Sequence, residues 1–163
     1  MFVLGTTFEF SRQSDMATEK LSPEERHARE ARYAARDVTD KLGLKPGYQV
    51  RTIGKVDRAL LDKVRARIGR SFIGESTEAD VILYWAGSAN EITPTLRKLK
   101  RALVPNGGIW VITFKKGKGE PYVPDQQLIA AGIAAGLVDN KICSVSDRQS
   151  ALRFVIRKED RKE

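Results

Sequence analysis

Apolar residues recur along this chain with two different spacings. Four segments carry them three or four positions apart, which predicts amphipathic helices at 22–42, 57–68, 91–103 and 124–135. Five short apolar runs rich in β-branched residues predict strands at 48–53, 80–85, 109–114, 138–145 and 151–158. Residues 71–74 are either a stub edge strand or an extended return, and residues 104–108 (VPNGG) predict a turn.

The order of these elements predicts the architecture. Strands that alternate with helices form parallel sheets, and the last two strands are close enough in sequence to form a hairpin. We therefore expect an α/β fold with a mostly parallel sheet, a C-terminal antiparallel hairpin and one extra N-terminal helix.

The N-terminal helix has a strong start signal. Ser22 to Glu25 (SPEE) is a capping box with proline at the first helical position. The helix is expected to run to about Leu42 and to end at Gly43, because glycine commonly adopts the left-handed conformation after a helix. Its thin apolar stripe suits packing on its own domain or self-association as a homo-oligomer.

The chain is expected to form one domain. A length of 163 residues is typical of a single domain, which we place at 16–158 with its core at 48–158. Residues 1–15 are expected to be a disordered leader, because Met16 is a second candidate start. Residues 159–163 are charged and are expected to fray.

Composition excludes several classes of protein. No apolar run approaches the roughly 20 residues of a membrane-spanning helix, and the N-terminus lacks a signal peptide's features. The single cysteine, Cys143, excludes an internal disulfide and favours a cytoplasmic location, where it is expected to be a buried structural thiol. The single histidine, His27, lies among charged residues, so neither a zinc site nor a histidine-based triad is expected.

The formal net charge is +8, which raises the question of a polyanion partner. Seven basic residues lie between Ile92 and Gly119 with no acid among them: Arg97, Lys98, Lys100, Arg101, Lys115, Lys116 and Lys118. The first four fall on a predicted helix and the others follow the next strand, which places the two groups at opposite edges of a parallel sheet. A solvated basic surface is therefore favoured over a nucleic-acid groove, although both remain open.

Several stretches of the sequence carry a family resemblance. They are KLGLKPGYQVRTIG (41–54), ADVILYW (79–85), LRKLKRALVPNGGIWVI (96–112), AGLVDNKICSV (135–145) and ALRFVIRK (151–158). Together they resemble class I S-adenosylmethionine-dependent methyltransferases. The whole pattern is still more similar to a bacterial family known as domain of unknown function 3052, whose name implies no activity. The resemblance implies a shortened Rossmann-like, methyltransferase-like fold.

The cofactor loop of the methyltransferases is not matched here. That loop follows the first strand and needs an acid and several glycines, whereas this chain has Thr52 in place of the acid, and Lys55 and Val56 in glycine positions. The stretch from Gly54 to Ala79 is too short for both the usual second and third strands with their helices. Glu75 is the one candidate for the ribose-binding carboxylate. We therefore expect no cofactor, with S-adenosylmethionine as an alternative that the motifs do not support.

Ligands of open α/β sheets bind beyond the carboxyl ends of the strands. The residues expected at that edge are Gly54, Lys55, Trp85, Gly87, Ser88 and Lys115. Trp85 with the two lysines could hold a small anionic ring or a phosphate, or all six could be ordinary loop residues. Asp80 is expected to pair with nearby backbone or lysine rather than to act in chemistry. No catalytic residue and no metal ligand is predicted.

Three functional hypotheses follow. The first is a non-catalytic or partner-dependent Rossmann-like binding module with a degenerate S-adenosylmethionine site. The second is a divergent S-adenosylmethionine-dependent methyltransferase, the one enzyme class that the sequence supports. The third is a protein that binds nucleic acid or another polyanion. Fold alone does not decide among them, and the partner is unknown.

Overall fold

A five-stranded sheet forms the centre of the computed structural model, which describes residues 22–27 and 37–161. The strands are β1 (Val50–Gly54), β2 (Ala79–Trp85), β3 (Leu103–Phe114), β4 (Leu137–Ser144) and β5 (Gln149–Ile156). The helices are α1 (Val38–Lys41), α2 (Arg58–Ile68), α3 (Ile92–Lys100) and α4 (Asp125–Ala134), and residues 23–27 are also helical. Two short 3₁₀ turns lie at Ala89–Glu91 and Lys158–Asp160.

The strand order is β1-β2-β3-β5-β4. β1, β2 and β3 are parallel, and β5 is antiparallel to both of its neighbours, β3 and β4. The predicted α/β class, mostly parallel sheet and C-terminal hairpin are confirmed. β1 is an edge strand, and the segment 71–74 is not a strand. Its one backbone bond to β1, from Ile73 N to Val50 O (2.9 Å), makes it an extended return.

Two apolar layers cover the sheet because successive strand residues point to opposite faces. On one face, Leu96 of α3 and Leu128 of α4 pack against strand residues such as Ile82. On the other, α1 and α2 cover the sheet, and the buried Trp110 of β3 donates from Nε1 to Leu42 O (3.1 Å). We call this second face the α1–α2 face. The single tryptophan–carbonyl bond fixes the end of α1 against the middle of the sheet.

The first crossover of the sheet has an unusual hand. From β1 to β2 and from β2 to β3 the chain steps in the same direction, yet α2 and α3 pack on opposite faces. Two such crossovers have opposite hands, whereas nearly all parallel crossovers are right-handed. The connection from β3 through α4 to the parallel strand β4 steps in the same direction, and α4 lies on the α3 face, so this connection has the same hand as β2–α3–β3. The β1–α2–β2 connection is therefore the left-handed one. Such a connection is expected if the strands that would follow α2 beyond β1 are missing.

The N-terminal helix was predicted correctly at its start and wrongly in its continuity. Ser22 N donates to Glu25 Oε1 (2.8 Å) and Glu25 N donates to Ser22 Oγ (3.1 Å), so the capping box forms. Asp37, however, has non-helical backbone angles and its carboxylate accepts from Thr39 N (2.8 Å), which starts the separate helix α1. Gly43 then has the expected positive φ of 70°. Most of the apolar stripe proposed for self-association, and the leader 1–15, lie outside the described residues.

The predicted turn at 104–108 is wrong, because these residues belong to β3. Residues 104–108 contain a proline and two glycines, yet the strand they belong to lies alongside β2, and Gly107 explains why. A Cβ at Gly107 would lie 2.9 Å from Asp80 O, so only glycine lets the two backbones approach here. The register shift between Ala79 and Val81 absorbs the irregularity. The preceding helix is correspondingly shorter than predicted and ends at Lys100.

Candidate functional site

The carboxyl edge of the sheet holds all six residues proposed from the sequence. The parallel strands end there at Gly54, Trp85 and Phe114. Lys55 follows β1, Gly87 and Ser88 follow β2, and Lys115 follows β3. The structure thus brings the ends of the three strands side by side, but the groups at this edge are largely engaged by the chain itself.

Gly54 joins the ends of β1 and β2. Its φ is +96°, and a Cβ at this position would lie 2.2 Å from Trp85 O. Any side chain would therefore collide with the backbone of the neighbouring strand. The glycine that survives from the family loop has a packing function in this chain.

Trp85 is part of the core rather than an open stacking platform. Its side chain is 4% exposed and packs on the α1–α2 face among residues that include Leu83 and Ile112. Its Nε1 has no hydrogen-bond partner among the described residues. An unpaired buried N–H costs stability, so apolar packing of the ring must compensate for it.

Glu91 is the residue that sequence reasoning missed at this edge. Its Oε2 accepts from the Tyr84 hydroxyl (2.6 Å) and from Gly87 N (3.0 Å). Burial, followed by the bond to Glu91, raises the pKa of Tyr84 well above its ordinary value. The signal in the sequence is a glutamate at the start of a predicted helix, directly after the loop segment 86–90. Glu91 closes the loop after β2 onto its own strand.

The two lysines proposed for this edge differ in their environment. Lys115 donates from Nζ to Ser144 Oγ (2.8 Å), and Ser144 Oγ donates to Ser146 O (3.1 Å), so Lys115 is directed toward the β4–β5 hairpin. Lys55 is exposed. Ser88, also exposed, makes no side-chain capping bond to the 3₁₀ turn that follows it. The structure therefore does not gather Trp85, Lys55 and Lys115 around one open space.

The N-terminus of α2 is capped by the chain's own acid. Asp57 lies directly before the helix, and its Oδ1 accepts from Ala59 N (3.0 Å). Helix N-termini in this position of α/β folds commonly bind anions through free backbone N–H groups. Here a carboxylate already uses one of those groups and adds negative charge beside the others.

The structure also places four other residues that the sequence singled out. Asp80 Oδ2 accepts from Gln49 N (2.8 Å), which fixes the start of β2 to the residue before β1. Cys143 is buried, and burial raises the pKa of its thiol. His27 is exposed. Glu75 is exposed in a turn, and no strand lies between α2 and Glu75 to carry it as a ribose-binding carboxylate.

The basic residues between Ile92 and Gly119 divide between the two edges, as predicted. Three residues at and just after the C-terminal end of α3 lie near the amino edge, where Arg97, Lys100 and Arg101 line a cavity of about 730 Å³ with Glu78 and Asp160. The basic residues after β3 lie at the carboxyl edge. The two groups therefore do not form one groove.

Two kinds of site find no support in the described part of the chain. Residues 22–27 and 37–161 contain no group of three or more histidine, cysteine or carboxylate side chains placed to hold a metal ion. They also contain no helix that is both long and apolar enough to cross a membrane.

Comparison with known proteins identifies the family. Residues 39–158 match the family described as protein of unknown function, DUF3052. The chain belongs to this family. No curated protein is significantly similar to it in sequence. The membership confirms the resemblance drawn from the sequence and adds no activity to it.

The fold of this DUF3052 protein is similar to solved methyltransferase structures. A SAM dependent methyltransferase from Aquifex aeolicus superposes with a TM-score of 0.55 at 16% identity, covering 74% of this chain and 88% of that one. A putative methyltransferase from Thermoplasma acidophilum gives 0.52 at 9% identity, covering 72% and 71%. An O-methyltransferase of neocarzinostatin biosynthesis, solved with S-adenosyl-L-homocysteine, gives 0.56 at 14% identity, covering 74% of this chain and 52% of its own. At these identities the likeness shows a shared fold alone.

Proposed function

We propose that this DUF3052 protein is a non-catalytic or partner-dependent binding module that has the methyltransferase fold without its cofactor site. The proposal rests on one observation: backbone N–H groups after β1 and after β2 already donate hydrogen bonds to carboxylates of this chain. Asp57 accepts from Ala59 N after β1, and Glu91 accepts from Gly87 N after β2. In the class I fold these two loops lie beside the cofactor, so groups that would bind it are already engaged.

The loop after β1 also lacks the room that a cofactor needs. In the class I methyltransferases that this chain resembles, glycines in this loop let the backbone approach the cofactor closely. In this chain, Lys55 and Val56 occupy those positions, and both side chains are exposed at the edge. A β-branched residue restricts the backbone and fills space that glycine would leave open.

The ribose side of the site is missing as well. No strand lies beyond β1 in the described sheet, so no strand end is available to present a ribose-binding carboxylate there. The short return from α2 to β2 and the left-handed crossover support the loss of those strands. Each half of the cofactor would therefore lack a contact that the family fold normally supplies.

One observation favours the second candidate, a divergent methyltransferase. The loops after β1 and β2 lead to helices on opposite faces, and such divergence is what opens a ligand crevice at the edge of an α/β sheet. A cofactor held there would need contacts other than the family loop. The polyanion hypothesis has less support, because the basic groups are divided between two edges.

Binding of S-adenosylmethionine and S-adenosylhomocysteine to the full chain tests the proposal. We expect no heat of binding by calorimetry and no change in melting temperature at millimolar ligand. A ligand at 100 times its Kd would stabilise the fold by about 2.7 kcal/mol, which is several degrees for a domain of this size. A saturable shift of that size with either compound would contradict the proposal and favour the methyltransferase.

A charge-matched pair of variants locates any binding that is found. Lys55→Glu places an acid at the carboxyl edge, whereas Lys98→Glu makes the same charge change on the exposed surface of α3. A cofactor at the family position would be weakened by the first variant and not by the second. Equal effects would indicate non-specific attraction to a basic protein.

A further inference from the structure

Three side chains form a row across the α1–α2 face of the sheet. Lys141 of β4 is the register partner of Arg153 of β5, and Arg153 is in turn the partner of Trp110 of β3. Trp110 and Cys143, two positions along β4 from Lys141, both lie in the core of this face. Two cations are thus placed directly opposite each other on adjacent antiparallel strands.

No described acid neutralises either of these cations. Among the residues that the structure describes, Lys141 and Arg153 form no ion pair, and the Arg153 guanidinium makes no hydrogen bond. Like charges directly opposite on neighbouring strands are destabilising. Burial lowers the pKa of Arg153, which reflects the cost of holding this charge away from water. A half-buried arginine with no ion-pair partner among the described residues thus lies beside an exposed lysine, and this arrangement favours binding of an anion.

The Arg153 guanidinium lies against the backbone of β3 at Gly108. A Cβ at Gly108 would lie 2.4 Å from Arg153 Nε and 2.7 Å from its Cζ. The guanidinium therefore occupies the space that a side chain at position 108 would fill.

The guanidinium faces a cavity with further polar groups. The cavity has a volume of about 300 Å³ and lies toward the amino edge of the sheet. Lys45, Tyr48 and Asn106 line it together with Lys141 and Arg153. The one acid in its lining is Asp80, whose Oδ2 already accepts from Gln49 N. Three cations against one engaged carboxylate leave the cavity with a net positive charge.

We propose that this amino-edge cavity binds the phosphate group of a small phosphorylated molecule. A phosphate carries up to two negative charges and several acceptor oxygens, which match a guanidinium, two ammonium groups and the tyrosine and asparagine donors. The volume is at the lower end of the range for small-molecule sites. The site is independent of the cofactor loops, because it lies at the opposite edge of the sheet.

Calorimetric titration of the full chain with inorganic phosphate and with pyrophosphate, in chloride buffer of low ionic strength, tests this proposal. We expect saturable binding at one site. Arg153→Gln is expected to weaken it about tenfold or more, as for the loss of a charged hydrogen bond. Gly108→Ala is expected to do the same without changing the net charge, because its methyl group displaces the guanidinium.

Lys116→Gln is the matched control. It removes one charge from an exposed loop at the other edge of the sheet and should leave phosphate affinity within about twofold. Lys141→Gln provides a second lesion of the site if Gly108→Ala does not fold.

Three results would overturn the proposal. One is the absence of saturable binding to the unaltered chain, and another is an equal loss of affinity in Lys116→Gln. The third is tighter binding of a DNA duplex that Arg153→Gln and Lys116→Gln weaken alike, which would indicate a diffuse polyanion surface. Titration of S-adenosylhomocysteine into the same samples tests the proposed function separately, so failure of the phosphate site and failure of the proposed function can be distinguished.

Discussion

The two edges of the sheet use their polar groups in opposite ways. At the carboxyl edge, Glu91 closes one loop, Asp57 caps a helix and Lys115 bonds to the β4–β5 hairpin. At the amino edge, Lys141 and Arg153 face a cavity with no ion-pair partner among the described residues. Polar groups that the chain satisfies itself contribute to folding, whereas groups left unsatisfied store a cost that a ligand can remove.

Under the proposed function, this difference explains how the fold is kept without its cofactor site. The carboxyl ends of the strands are where α/β folds usually bind ligands, but that rule assumes loops that leave their N–H groups free. In this DUF3052 protein those loops stabilise the domain. The cations for which we propose a ligand instead lie on the α1–α2 face.

The largest expected effect on stability comes from a substitution of Gly54, where the ends of β1 and β2 are in close contact. Gly54→Ala should lower the free energy of unfolding by about 3 kcal/mol or more, since it combines an unfavourable positive φ with a collision against Trp85 O. Gly117→Ala is the control, because Gly117 also has a positive φ (77°) but open space around it. We expect about 1 kcal/mol there, measured by urea unfolding. Equal losses would show that the strand ends are not in close contact.

The next effect concerns the loop after β2. Glu91→Ala should cost about 2 kcal/mol, because it leaves the buried Tyr84 hydroxyl and Gly87 N without their acceptor. Tyr84→Phe should cost about 1 kcal/mol, and the double variant should cost less than the sum. Strict additivity in a double-mutant cycle would contradict the coupling of these two residues.

A smaller effect is expected in the alkaline pH dependence of stability. The native pKa of Tyr84 is raised above its ordinary value of 10.0, so the native state keeps a proton that the unfolded state releases. The stability contributed by Tyr84 is therefore complete below pH 10 and is lost as pH rises above it. The difference in unfolding free energy between the unaltered chain and Tyr84→Phe should narrow from pH 9 to pH 11, in urea titrations at each pH. A constant difference would mean that Tyr84 titrates alike in both states.

The smallest effect is expected at the amino edge. Lys141→Glu converts the like-charge pair with Arg153 into an opposite-charge pair and should raise stability by about 0.5 kcal/mol. Lys116→Glu makes the same change of net charge away from the pair and should have little effect. Thermal unfolding in phosphate-free buffer compares them. A destabilised Lys141→Glu would contradict the unpaired state of Arg153.

The fold could be predicted from the sequence because its determinants are local. Apolar runs marked the strands, and the capping box at Ser22 and the glycine at Gly43 marked helix ends that the structure contains. The interruption at Asp37 and the pairing of residues 104–108 were missed. In both cases a specific hydrogen bond or close backbone approach overrode the periodicity.

The arrangement on the α1–α2 face could not be predicted, because it depends on register. Asp139 pairs with Phe154, whereas Lys141 pairs with Arg153, so a bulge between them changes the face on which the following residues of β4 lie. Without that bulge, Lys141 would lie on the other face. No residue type in β4 predicts such a register shift. The burial of Trp85 was also missed, because it depends on the packing of α2 on the sheet.

Residue-resolved titration by ¹H–¹⁵N NMR tests the central claim most directly, because one experiment compares the two edges. Pyrophosphate should shift the amide signals of Gly108, Lys141 and Arg153, and S-adenosylhomocysteine should shift none from Gly54 to Asp57 or at Gly87. Saturable shifts from S-adenosylhomocysteine at the carboxyl edge, with none from pyrophosphate near Arg153, would contradict the account.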